Sequence, residues 1–86
     1  MHTFTQKVLR IVKKIPKGKT LSYTEVAQKA GSQYAFRAVG SILKKNFDPN
    51  IPCHRVIKSN GQAGQYNRGA EQKIKRLQSE GVYILR

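Results

Sequence analysis

Gly31 separates two apolar-striped segments, each too short to stand as an isolated helix in water, and that division narrows the folds open to the chain. Before it, Ser22-Tyr23-Thr24-Glu25 has the capping-box pattern: a hydroxyl that can accept from the third helical amide and a carboxylate that can reach back. Val26, Ala27 and Ala30 follow at inward spacing. After the glycine, Ala35, Ala38, Val39, Ile42 and Leu43 recur at helical spacing over residues 33–45. Two short helices meeting at a tight glycine turn, the second bearing Arg37, Lys44 and Lys45, are a helix-turn-helix candidate. The pattern also arises by chance in small helical domains.

The rest of the chain supplies partners for that pair. Phe4, Val8, Ile11, Val12 and Ile15 mark an amphipathic helix over residues 3–15, ended by Pro16-Lys17-Gly18-Lys19. Residues 46–50 are a loop by composition. Residues 55–58 read as a short strand, and Ser59-Asn60-Gly61 carries the Asn-Gly hairpin signal, with 62–66 as the returning arm of a small wing. A last helix is expected over 70–80, with Ala70, Ile74 and Leu77 inward and Gly81 just past its end. Residues 82–85 form an apolar tail. The expectation is a mainly α, small α+β fold: a winged-helix-like helix-turn-helix domain with a short β-hairpin. At 86 residues it forms one domain, 1–86.

Seventeen Lys and Arg against four Asp and Glu give a formal charge of +13. An excess of that size repels itself in a compact state and points to a polyanionic partner, nucleic acid first, because phosphate neutralisation supplies most non-specific affinity. The cations are spread along the chain, not gathered on one amphipathic face, which counts against a membrane surface. No apolar run is long enough to span a bilayer, and the N-terminus lacks the apolar core of a signal peptide. A single cysteine excludes an internal disulfide and a cysteine-rich zinc site, and a free thiol fits a reducing compartment: cytoplasm or nucleoid, or the nucleus in a eukaryote. No metal or cofactor is expected.

That cysteine stands in Ile51-Pro52-Cys53-His54-Arg55-Val56. A thiol attacks only as thiolate, a form that neighbouring positive charge favours. The alternative is that Cys53 is a small buried hydrophobe, as most free cysteines are. From this stretch alone both readings stay open.

Pro52-Cys53-His54-Arg55-Val56 resembles the active-site signature of the O6-alkylguanine-DNA alkyltransferases, also called methylated-DNA–protein-cysteine methyltransferases. Ile15-Pro16-Lys17-Gly18-Lys19-Thr20 with Ser22-Tyr23 resembles the approach to that family's helix-turn-helix. Arg37-Ala38-Val39-Gly40 resembles its recognition helix and Asn46 the asparagine that closes it. Gly61, Gly64 and Tyr66, then Gly69, Lys73, Leu77 and Glu80-Gly81, follow its downstream pattern, so the resemblance covers nearly the whole chain.

The resemblance implies a monomer that binds double-stranded DNA containing O6-alkylguanine, unusually from the minor groove, and rotates the damaged base into a pocket. The alkyl group then passes irreversibly to a cysteine. It implies Cys53 as nucleophile, His54 as general base through a water, Glu80 as its orienter, Asn46 as a brace, and Tyr23 as an aid to rotation and a proton donor to the leaving guanine. Arg37 would fill the gap in the stack. Tyr23, Ala38, Gly40, Lys44 and Arg55 would join Arg37 against DNA, and Tyr66, Asn67 and Arg68 would line the pocket. A base inside a duplex is unreachable, so flipping at a cost of about a few kcal/mol is a physical necessity for such chemistry. The base-and-orienter logic is that of catalytic triads.

Some positions depart from the family. Phe36 and Arg68 stand where small residues are usual, Gln65 replaces a small or amide residue, the 46–53 loop is about one residue short, and the usual extra N-terminal domain is not seen in this sequence. Three functions compete: a self-consuming alkyltransferase; an alkyltransferase-like damage sensor, a group that typically lacks the cysteine; and a basic nucleic-acid module with an incidental thiol.

Overall fold

The computed structural model describes residues 3–64 and 69–84. Its elements run α1 (Phe4–Lys13), β1 (Leu21–Ser22), α2 (Tyr23–Lys29), α3 (Phe36–Lys44), a 3-10 turn (Cys53–Arg55), β2 (Val56–Ile57) and α4 (Ala70–Ser79).

α1 is shorter than its apolar stripe. Thr3 is the cap, not the first helical residue: its hydroxyl accepts from the Gln6 amide while the Gln6 side chain accepts from the Thr3 amide. At the other end, the Lys14 and Ile15 amides bond three residues back, to Ile11 and Val12, so the helix tightens before Pro16. α2 starts at the expected box, with Glu25 N–H to Ser22 Oγ and Ser22 N–H to Glu25 Oε1 both at 3.0 Å. It stops at Gly31, whose φ of +90° lets the Ser32 amide reach back to the Ala27 carbonyl at 2.9 Å.

α3 begins at Phe36, three residues later than expected, because residues 32–35 form the turn and the Ala35 amide bonds the Ser32 carbonyl at 2.9 Å. Val39 and Leu43 face the core; Ala38, expected inward, is exposed. Ala70 is likewise exposed, and Lys73 takes an inward place on α4 beside Ile74 and Leu77.

The sheet is built differently from the expected hairpin. β2 is two residues long, and it pairs in parallel with β1, Leu21 opposite Val56 and Ser22 opposite Ile57. A parallel pair needs a long crossover, which α2 and α3 provide. Arg55, expected in the strand, belongs to the 3-10 turn. The chain does reverse at Asn60-Gly61: the Gly61 amide bonds the Lys58 carbonyl at 3.0 Å, and the Lys58 amide bonds the Gln62 carbonyl at 2.9 Å. The far end of the expected arm, residues 65–66, lies outside the described residues.

Two apolar clusters result. The larger joins Val8, Val12 and Ile15 to Val26, Ala27 and Ala30 of α2 and its end, Val39 and Leu43 of α3, and Cys53 and Val56. The smaller joins Ala63, Ile74, Leu77 and Ile84. No helix among the described residues is long and apolar enough to cross a membrane. The architecture is a small α+β helix-turn-helix domain whose 3-10 turn sits where the first and last helices converge.

Candidate active site

Proline sets the angle at which the cysteine enters. Pro52 has φ −78° and ψ 69°, and the Cys53 amide bonds the Ile51 carbonyl at 2.8 Å across it, an inverse γ-turn. The preceding loop is tied by its own side chains: Asn46 Oδ1 accepts from the Asp48 amide, and Asp48 Oδ1 accepts from the Asn50 amide at 2.9 Å. The other end of the Asn46 amide donates to Cys53 Sγ at 3.0 Å. Cys53 is buried, 6% exposed, within the main core. Burial pushes its thiol pKa up; the Asn46 hydrogen bond, its own backbone amide and the Lys73 charge pull the other way. The resting group is therefore a thiol.

His54 is buried, and its Nε2 lies 3.0 Å from Glu80 Oε2. Burial lowers the imidazole pKa, with Glu80 opposing, so the ring is neutral at pH 7. Glu80 is held as a carboxylate with its pKa down to about 2, first by the Arg55 hydrogen bonds and then, after a desolvation penalty, by those of His54. An anionic acceptor on Nε2 places the single imidazole proton there and leaves the lone pair on Nδ1. Nδ1 is buried without a hydrogen-bond partner among the described residues. His54 and Cys53 line one polar cavity of about 290 Å³, together with Asn46, Arg76 and Glu80.

Arg55 completes the turn and is spent inside the protein. Its Nε donates to Glu80 Oε1 at 3.0 Å, its Nη2 to Glu80 Oε2 at 2.8 Å, and its Nη1 to the Ile15 carbonyl at 2.8 Å. With its fork engaged on one carboxylate, Arg55 is a clamp on Glu80, and its expected place against DNA is withdrawn. Glu80 follows the last turn of α4, where a carboxylate faces the negative end of the helix dipole. The Arg55 fork offsets that. Gly81, at φ +85°, lets the Val82 amide return to the Leu77 carbonyl at 2.9 Å and so fixes where Glu80 stands.

Lys73 was not anticipated as a site residue. It is 1% exposed, and its Nζ donates to Tyr23 Oη at 3.0 Å, with the ring centroid 5.3 Å away. Burial lowers its pKa to about 8, with the Cys53 charge opposing. Tyr23 is pushed up by burial and then by Cys53. Thiol, phenol and ammonium thus feel one another's charge. The sequence signal was present: a lysine four residues before Leu77 falls on the same face of the helix. Gly64 makes room for the phenol. A Cβ there would lie 3.0 Å from Tyr23 Oη, and its φ of +79° is one that L side chains rarely adopt.

A depressed lysine pKa has a defined effect on stability. Between about pH 8 and the ordinary value of 10.5 the unfolded chain binds the proton and the folded chain does not, so stability rises with pH across that window. Urea unfolding of wild type and Lys73→Met at a series of pH values should show the difference moving in favour of wild type between those limits, by on the order of 1–3 kcal/mol.

Beside this interior, a separate open groove of about 810 Å³ runs along α3, lined by Tyr23, Arg37, Gly40, Lys44 and Lys58 among others. Arg37, Gly40, Ser41 and Lys44 occupy one helical face, and Ala38 is exposed on the same helix. The structure therefore brings together Cys53, His54, Glu80 and Asn46 in one cavity, and Tyr23 with Arg37, Gly40 and Lys44 along the groove. Tyr66, Asn67 and Arg68 lie outside the described residues. Among the described residues no cluster of three His, Cys, Asp or Glu side chains could hold a metal.

A buried thiol braced by an amide thus lies next to an imidazole oriented by a clamped carboxylate, in a helix-turn-helix domain with a cationic groove along α3. The 6-O-methylguanine DNA methyltransferase DNA-binding domain pattern matches residues 3–82, and the chain belongs to that family. It is 44% identical over 81 residues to the methylated-DNA–protein-cysteine methyltransferase of Methanothermobacter thermautotrophicus, covering 94% of this chain and 46% of that protein. It thus spans about half the length of that relative. Among solved structures, Mycobacterium tuberculosis OGT in complex with DNA superposes with a TM-score of 0.87 at 36% identity, covering 94% of this chain and 50% of that one. S. pombe Atl1 in complex with damaged DNA containing O6-carboxymethylguanine gives 0.86 at 34% identity, covering all of this chain and 84% of that one.

Proposed function

We propose that the chain binds duplex DNA along the α3 groove, turns an O6-alkylguanine out of the stack, and transfers the alkyl group once and irreversibly to Cys53. The observation that carries this reading is the Asn46–Cys53 hydrogen bond beside a histidine whose other nitrogen is committed to Glu80. His54 Nδ1 takes the thiol proton through a water in the shared polar cavity, which is roomy and polar enough to hold one. The sulfur forms a bond to the alkyl carbon as the carbon–oxygen bond breaks. The departing guanine takes a proton from Tyr23, and Lys73 Nζ replaces it. The product is a stable thioether whose sulfur is a poor leaving group, so one molecule serves one lesion.

Arg37 fills the vacated step, and Ala38, Gly40 and Lys44 let α3 approach the backbone. Tyr66, Asn67 and Arg68 are proposed pocket residues on family resemblance. The protein acts as a monomer where DNA is housed, in nucleoid or nucleus, without a cofactor.

Gly40 supports DNA approach on its own account. A Cβ there would meet Tyr23 Cε1 at 3.8 Å, an ordinary contact, so internal packing does not demand glycine. In a helix interior glycine costs about 0.5–1 kcal/mol relative to alanine. Gly40→Ala is expected to raise the melting temperature while weakening duplex binding by about tenfold, since overpacking an interface costs about 1–3 kcal/mol. Thermal melts and anisotropy titrations on the same preparation measure both.

A second reading, damage sensing without transfer, is favoured by the likeness to S. pombe Atl1, which covers all of this chain and 84% of that one. Intact-mass measurement decides. After mixing with duplex containing O6-methylguanine, Cys53 should carry one methyl group and never two. Tight binding with unchanged mass would establish the sensor instead.

A further inference from the structure

Phe36 is the first residue of α3 and is 41% exposed. Among the described residues it packs into neither apolar cluster. A lone exposed phenylalanine is ordinary on a protein surface. This one is not placed at random: it lines the same groove as Arg37, Lys44 and Lys58, and Phe36, Gly40 and Lys44 stand in one i, i+4, i+8 row. Cations suit phosphates, and Gly40 leaves the floor of the trough bare above the Tyr23 ring. A flat apolar face in such a trough suits a nucleobase, which has a π-face to stack on whatever its identity.

Phe36 directly precedes Arg37 at the start of α3, and both line the groove. Successive helical side chains splay about 100° apart, so if Arg37 occupies the step left by the extruded nucleotide, the Phe36 ring is free to meet the flanking base. We propose that Phe36 is a second stacking contact beside Arg37, its ring packing on the base that flanks the extruded nucleotide. It thereby raises the preference for DNA in which a nucleotide has left the stack. This rests on the reading that α3 holds DNA with a guanine turned out.

The test compares wild type, Phe36→Ala, Phe36→Leu and Phe36→Tyr on duplexes with and without O6-methylguanine. 2-Aminopurine is placed on the 5′ or the 3′ side of the lesion. Tyr34→Ala is the control, because Tyr34 is 84% exposed and does not line the groove. Phe36→Ala should lose about five- to 150-fold of the preference for damaged over undamaged duplex, the span expected for one base–aromatic stack of about 1–3 kcal/mol. Phe36→Tyr should restore it, and Phe36→Leu should fall between. Wild type should quench 2-aminopurine on one side of the lesion, and Phe36→Ala should not. Tyr34→Ala should behave as wild type.

A Phe36→Ala protein with undiminished preference and quenching overturns the proposal while leaving the transfer reading intact. So does an equal loss on damaged and undamaged DNA, which would make Phe36 a general contact. A wild-type protein that neither prefers the damaged duplex nor gains a methyl group overturns both.

Discussion

Cys53→Ala and Cys53→Ser should each abolish alkyl transfer, a fall of more than about 10³-fold, while both still bind damaged duplex DNA. Loss of a nucleophile that acts with its base as one unit removes the whole chemical step, whereas binding draws on α3 and the surface cations. The two variants differ in the fold. Serine keeps an acceptor for Asn46 Nδ2, now bonded to sulfur at 3.0 Å, and alanine removes that hydrogen bond. Alanine should therefore cost about 0.5–1.5 kcal/mol of stability through the lost hydrogen bond, and serine less. Single-turnover assays with methyl-labelled duplex read the transfer, and urea unfolding reads the stability. Residual transfer in Cys53→Ala would place the acceptor elsewhere.

Glu80→Gln should damage chemistry and stability together. The imidazole loses the anion that fixes its tautomer, a defect worth about 10²–10⁴ in rate where general-base catalysis is at stake. Arg55 loses the charge that both arms of its fork address. The Glu80 and Arg55 side chains are only 11% and 16% exposed, so the cost should approach the 3–5 kcal/mol typical of breaking a buried pair, roughly 3 kcal/mol here. The pH dependence separates this from a general packing fault. A carboxyl with a depressed pKa stabilises the fold fully above its ordinary value of 4.5, and that contribution is lost as pH falls through about 2. Wild type and Glu80→Gln should therefore converge between those limits. Parallel curves would mean that the carboxylate charge contributes nothing.

Much of this was legible in the residues because local chemistry decided it. Ser22 and Glu25 could do little but cap α2, and Gly31 could do little but end it. Thr3 and Gln6 form the same kind of box at α1, a pattern overshadowed by the apolar stripe. The motif Pro52-Cys53-His54-Arg55 marks the 3-10 turn, and Glu80 joins it from 26 residues beyond His54. What periodicity could not supply was the pairing of distant segments. β1 is only two residues long and has no signature of its own; its partner lies across two helices. Arg55 reads as a surface cation until Glu80 and Ile15 are brought to it. Lys73 reads as solvated because lysine usually is, although its place four residues before Leu77 sets it on the apolar face where it meets Tyr23. Ala38 stands in an apolar row, yet rotation of α3 about Val39 and Leu43 turns it outward.

The Arg55 guanidinium grips a carboxylate just beyond the end of the last helix and a carbonyl just beyond the end of the first. The segments after the first and last helices are thereby tied together by one guanidinium, and the imidazole shares the carboxylate it holds. Loosening either helix end would slacken the same carboxylate that orients His54.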